Sequence, residues 1–236
     1  MNLPLCLQTL DEWANRVRWR TDTLFRQFER NPADYHNSAN YFRILAMITV
    51  LQKDLGVRYN PAKIDESVPL DTADTFIHGI IQGDGGTCAS MPVLYVAVGR
   101  RLGYPLSLVS AKYHFFARWD EPAERFNIEA TGRGLNCHPD DYYRMGRYLV
   151  SERAERLCGF LKSQTPAEEL AGFLAQRAFR LFENYRYNEA EEAISWSSIL
   201  APNIMPYKMS LFSPQPYTWS PPQGATPCMI PPSDVF

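Results

Sequence analysis

From Trp13 onward, "DEWANRVRWRTDTLFRQFER" places Trp13, Val17, Thr21, Leu24 and Phe25 at three- and four-residue steps, which predicts an amphipathic helix. "NSANYFRILAMITVLQKDLG" predicts a second, with Ser38 as N-cap and Gly56 as stop. "RYNPAKID" reads as a turn or extended segment, and "DTADTFIHGIIQG" as one short helix ending at a glycine loop. Beyond that loop, Met91, Leu94, Tyr95, Val98 and Leu102 share one stripe, so a helix is expected from Ser90 to Leu102. Arg100 and Arg101 suit its C-terminal end, Gly103 its cap and Pro105 its stop. The period then changes. "PLSLVSAKYHFFARW" and "RFNIEAT" are β-branched and aromatic, as strands are, with "DEPAE" as a hairpin loop. Helical patterning returns near Glu152, and the run from Ala167 to Asn203 reads as two antiparallel helices with a turn between Asn184 and Asn188.

These patterns divide the chain into residues 1–150, 151–201 and 202–236. The last segment holds half of the chain's 18 prolines, with only Lys208 and Asp234 charged, and its aromatics and methionines predict an extended strap against the body or a neighbouring chain. With 236 residues, 45% of them hydrophobic, the chain can build one generous core or a core with an appendage. A formal net charge of −2 without a basic stripe argues against a nucleic-acid partner. The 5 cysteines are an odd number without CxxC spacing, so neither a disulfide framework nor a structural zinc site is expected. The N-terminal sequence lacks the basic region of a signal peptide, and no apolar run is long enough for a membrane span. A soluble cytoplasmic protein, with no membrane partner and no cofactor, is the expectation.

"GDGGTCASM", residues 83–91, is the stretch unlike scaffolding: a glycine pair and Thr87 lead into Cys88 just where a helix begins. A thiol becomes a nucleophile when a helix N-terminus lowers its pKa, a histidine takes its proton and a carboxylate holds that histidine. His114 lies in the following strand pattern. Pairing Trp119 with Glu124 across the loop sets Ala117 against Phe126, Phe115 against Ile128 and His114 against Glu129, near enough for an imidazole–carboxylate hydrogen bond. The same register sets Arg118 against Arg125, which is unfavourable. Each residue also has a plain reading: Cys88 as a buried thiol, His114 as a satisfied strand histidine, Glu129 as a surface acid. "GDGGT" lacks the Lys-Ser/Thr ending of a phosphate loop, and Cys137-His138 lacks a second ligand pair for a metal.

The glycine loop and Cys88 at a helix start, "RRLGYPLSLVSA" after that helix, His114 in the next strand and Glu129 about fifteen residues later together resemble the transglutaminase-like superfamily of the papain-type fold. The resemblance is strongest over residues 78–135. The nearest likeness is to bacterial proteins that join such a domain to tetratricopeptide-type helices, and "YRYNEAEEAISWSSILAPN" resembles the second helix of such a repeat. The resemblance implies an α+β fold: a papain-like core with a Cys-bearing helix on a small antiparallel sheet, a helical N-terminal part and a C-terminal helical hairpin. It implies Cys88 as nucleophile, His114 as general base and Glu129 as orienting acid. Gln82 stands where papain-like enzymes carry an oxyanion-hole glutamine, and Gly86, Thr87 and Ala89 complete the expected oxyanion and substrate-binding positions. Two departures stand out: the acid is usually Asp, and the tryptophan that often follows the cysteine is Ala89 here. The implied activity is thiol-dependent acyl transfer or hydrolysis of an amide or peptide bond, on a peptide or protein substrate. The competing reading is a catalytically inactive interaction module that binds a protein partner through the helical hairpin or the proline-rich tail.

Overall fold

The structure is a computed structural model that describes residues 2–63, 70–146 and 148–207. The chain sorts into two compact units. The first comprises Met1–Asn60, Ala73–Leu108 and Phe115–Pro139; the second comprises Pro61–Thr72, Val109–His114 and the chain from Asp140 onward.

The first unit opens with α1 (Leu3–Arg30), capped by Asn2, whose side chain accepts from Leu5 N at 3.2 Å. Cys6, Leu10, Ala14, Val17 and Thr21 form its buried stripe. Ser38 caps α2 (Ala39–Thr49) by accepting from Tyr41 N at 2.9 Å, as its place in the sequence predicts. The helix does not simply run on to Gly56. Residues Val50–Asp54 form a π turn, in which Leu55 N donates to Val50 O at 3.0 Å. Gly56, with φ of 71°, then ends the element. α1 packs against α2 and against α5 (Met91–Arg101), and Ile44, Met47, Leu51, Leu94, Tyr95 and Val98 are fully buried in this unit. The expected single helix before the glycine loop is two, α3 (Thr72–Thr75) and α4 (Ile77–Gln82), because Phe76 is extended between them.

The sheet has three strands in the order β1 (Leu106–Ala111), β2 (His114–Asp120), β3 (Arg125–Ile128). Only Lys112 and Tyr113 join β1 to β2, and Tyr113 takes φ of 60° to make that turn. The start of β1 lies against α5: Arg100 Nε donates to Leu106 O at 2.9 Å, and a Cβ on Gly99 would fall 2.3 Å from Leu106 Cδ1.

The register of β2 with β3 corrects the expected one. Ala117 pairs with Ile128, Arg118 with Asn127, Trp119 with Phe126 and Asp120 with Arg125. His114 is therefore not opposite Glu129; the strands are offset by two positions from the expected pairing. The turn is tighter than "DEPAE" suggests. Glu121 and Glu124 exchange backbone hydrogen bonds of 3.2 Å, which leaves only Pro122 and Ala123 at the tip, and proline presets the φ that such a turn needs. The tighter turn removes the Arg118–Arg125 clash and brings Arg125 Nε to 3.1 Å from Asp120 Oδ1. Glu124 is tied back to α2 by Ser38 and by Asn40 Nδ2, the latter at 2.8 Å. Because the offset is even, the faces survive. Ala117, Trp119 and Ile128 are buried on one side, and Arg118, Asn127 and Glu129 on the other. Arg118 is only 1% exposed, with Nε donating to Asn127 Oδ1 at 2.6 Å and its guanidinium over the Phe116 ring.

In the second unit, α6 (Asp140–Arg144) and α7 (Glu152–Cys158) precede a helical hairpin, α8 (Pro166–Glu183) and α9 (Tyr187–Leu200). A capping box between Thr165 and Glu168 starts α8. Ala178, Leu181, Ala190 and Ala193 fill the seam, and Ser197 Oγ donates to Ala171 O at 2.7 Å across it. After Ala201 the chain makes one more turn, in which Tyr207 N donates to Ile204 O at 3.2 Å. That turn rests on the same unit: a Cβ on Gly159 would fall 2.5 Å from Ile204 Cδ1, and burial pushes the Tyr207 phenol up to about 12. The remainder of the expected strap, from Lys208 to Phe236, lies outside the described residues.

Candidate functional site

Cys88 is the first residue of a tight turn that leads into α5. Thr87 closes the turn, its carbonyl accepting from Ser90 N at 3.2 Å and Met91 N at 2.9 Å. Ser90 Oγ reaches back to accept from Thr87 N at 3.0 Å. Both hydroxyls then converge on one acceptor. Thr87 Oγ1 and Ser90 Oγ each donate to the backbone carbonyl of Asp74 at 2.8 Å. Thr87 and Ser90 are fully buried, while Cys88 between them is half-buried. The protein thus fixes the residues on either side of the thiol and leaves the thiol itself reachable.

The glycines serve the same turn. Gly86 is hydrogen-bonded between Arg58 and Asn60, its N donating to Arg58 O at 2.9 Å and its O accepting from Asn60 N at 2.8 Å. A Cβ there would sit 2.7 Å from Met91 Cγ and 2.8 Å from Ile80 Cδ1. At Gly79 on α4, a Cβ would lie 2.1 Å from the carbonyl oxygen of Ala73, the residue before Asp74. Gly79→Ala should therefore push α3 off α4 and move the Asp74 carbonyl that anchors the turn. The expected cost is about 1–3 kcal/mol of stability, read from urea unfolding; a variant within about 0.5 kcal/mol of wild type would show that α3 yields freely.

Glu129 follows β3 directly and is 7% exposed. Its Oε1 accepts from Ala130 N at 3.0 Å, Thr131 N at 3.1 Å and Thr131 Oγ1 at 2.8 Å. Three donors on one oxygen fix the direction of the carboxylate. The loop that supplies them is closed at its base, where Glu129 N donates to Asn136 O at 2.9 Å.

His114 opens β2 and is also 7% exposed. Its ring lies 4.9 Å from that of Tyr148 and 6.1 Å from that of Tyr143, and those two tyrosines stand 5.3 Å apart. An imidazole walled by aromatic rings is held in orientation and shielded from water. Cys88 and Glu129 belong to the first unit, and His114 ends the Val109–His114 segment of the second. Gln82, the last residue of α4, is exposed. Ala89 N donates to Thr87 Oγ1 at 3.2 Å, so that backbone donor is engaged within the turn. Asp74, Ser90, Thr131, Tyr143 and Tyr148 carry no motif of their own. Their only trace is local composition, notably the tyrosine-dense stretch after Pro139.

Among the described residues, no group of three or more His, Cys, Asp or Glu side chains is placed to hold a metal ion, and no helix is long and apolar enough to cross a membrane. The described architecture is an α+β one, in which a cysteine at the head of a helix precedes a small sheet bearing a buried histidine and a buried carboxylate. The family model described as the transglutaminase-like superfamily matches residues 5–173, and the chain belongs to that superfamily. No curated protein and no solved structure matches it.

Proposed function

We propose that the protein catalyses thiol-dependent acyl transfer or hydrolysis at an amide or peptide bond, within a papain-like core, with Cys88, His114 and Glu129 as its triad. The observation that carries this reading is the build of the Cys88 turn, with buried hydroxyls clamped on either side of a half-buried thiol at a helix start. Membership of a superfamily that includes cysteine-dependent enzymes supports it. In this reading Cys88 Sγ attacks the acyl carbonyl and its proton passes to His114. The exposed Gln82 amide donates to the oxyanion, and the tetrahedral species collapses as His114 returns the proton to the departing amine. Water or a second amine then attacks the thioester, His114 takes its proton, and the thiol is restored. Glu129 stabilises the imidazolium that forms in both halves. Gly86, Thr87 and Ala89 shape the turn that presents Cys88 to the acyl group. None of the described cysteines, Cys6, Cys88, Cys137 and Cys158, forms a disulfide, which fits a reducing compartment such as the cytoplasm.

Peptide-resolved alkylation with iodoacetamide tests this reading. Cys137 is exposed as a residue, yet partial burial of its thiol pushes it up to about 11, and burial also pushes the Cys158 thiol up. Both are protonated at pH 6. A Cys88 thiolate paired with imidazolium should label about 10–100-fold faster than either at that pH. Uniform slow labelling of all the cysteines would favour an interaction module that has kept the fold without the chemistry.

A further inference from the structure

Gln52 lies within the π turn that ends α2, and every polar atom of its side chain is used. Its Nε2 donates to the phenol oxygen of Tyr95 at 2.9 Å and to the carbonyl of Gly132 at 3.1 Å. Its Oε1 accepts from Gly134 N at 2.8 Å. Tyr95 lies about two turns down α5 from Cys88 and is fully buried. Gly132 and Gly134 belong to the loop whose first residues, Ala130 and Thr131, hold the Glu129 carboxylate. One amide therefore joins the cysteine's helix to the acid's loop. An α-helical continuation of α2 would present a different face at this point; the extra residue of the π turn aims the amide at both partners.

We propose that Gln52 is a positioning residue for the candidate triad, coupling the helix that follows Cys88 to the loop that orients Glu129 through Tyr95, Gly132 and Gly134. This rests on the reading of Cys88, His114 and Glu129 given above. Gln52 itself touches no reacting atom. It acts through Glu129, by fixing where the donors of Ala130 and Thr131 stand. Without it the carboxylate loses its set direction, the imidazolium is less well stabilised, and the thiolate becomes harder to form.

The pH profile of Cys88 alkylation in the full chain reads this directly, in wild type, Gln52→Leu, Glu129→Gln and the double variant. Gln52→Leu should raise the pH midpoint by about one unit, which is about a tenfold slower reaction at pH 6. Glu129→Gln should raise it at least as far, and the double variant should go no further than Glu129→Gln alone, because both changes break one chain of action. A purely structural role would leave the midpoint in place or add in full to Glu129→Gln, and either result overturns the proposal. Tyr95→Phe keeps the ring and removes the oxygen that Gln52 grips. It should shift the midpoint the same way by about a factor of three in rate at pH 6, and a folded Tyr95→Phe with the wild-type midpoint also overturns it. If wild-type Cys88 shows no preference over the other cysteines at pH 6, the triad reading falls and this inference with it. If wild-type Cys88 reacts as expected and only the variants misbehave, the triad stands and Gln52 has no part in it.

Discussion

Cys88→Ala should abolish turnover of acyl esters and amides, by on the order of 10⁴-fold or more, while leaving the thermal unfolding curve unchanged. The second half of that expectation follows from the turn itself. Its hydrogen bonds are made by Thr87, Ser90 and the carbonyl of Asp74, and the Cys88 side chain is half-buried between them. Alanine removes a sulfur from a reachable position without touching that clamp. The measurement is release of 4-nitrophenol from acyl esters and of amine from short acyl peptides, beside a melting curve. Residual activity within tenfold of wild type, in a protein that melts normally, would remove Cys88 from the mechanism.

The second large effect concerns Glu129→Gln. An amide oxygen can still accept from Ala130 N, Thr131 N and Thr131 Oγ1, so the loop should hold its shape. What is lost is the negative charge. If Glu129 stabilises the imidazolium, turnover should fall by about 10²–10⁴-fold, with stability almost unaltered. Thr131→Val separates the two roles. It removes one of the three donors and keeps the charge, so it should cost less than tenfold in rate. Equal losses in the two variants would mean that loop shape, rather than charge, is what Glu129 supplies.

Much of the scaffold was legible in the residues, for local reasons. Ser38 caps α2, Arg100 and Arg101 end α5, and the turn between α8 and α9 falls at Asn184, all set within a few residues of chain. The break at Phe76 was not legible, because "DTADTFIHGIIQG" keeps a helical pattern while its backbone turns extended. The hairpin shows where local reasoning is sufficient and where it fails. Period-two alternation gave the correct faces of β2 and β3, since any even offset preserves them. It could not choose among even offsets; that choice was made by Pro122 at the turn and by the Asp120–Arg125 pair. The clash of Arg118 with Arg125 was the visible warning. At the site, the glycine pair and Cys88 announce themselves by type and spacing. Asp74 and Gln52 do not, because they act through a backbone carbonyl and a side-chain amide brought in from distant segments.

The π turn at Val50–Asp54 adds a constraint of another kind. Most surface helices accept a conservative codon change more readily than the loss of a codon. Here the count of residues matters as much as their identity. Each residue of an α-helix advances the chain by about 100° of rotation. Dropping one codon between Val50 and Asp54 would heal the helix to regular pitch and shift the residues inside the segment relative to the chain on either side, even if every remaining side chain were kept. Descendants of this gene can therefore vary the exposed Lys53 freely, but they inherit the length of the segment as a fixed measure, and an alignment gap there would mark a lineage that had given up the Gln52 contacts.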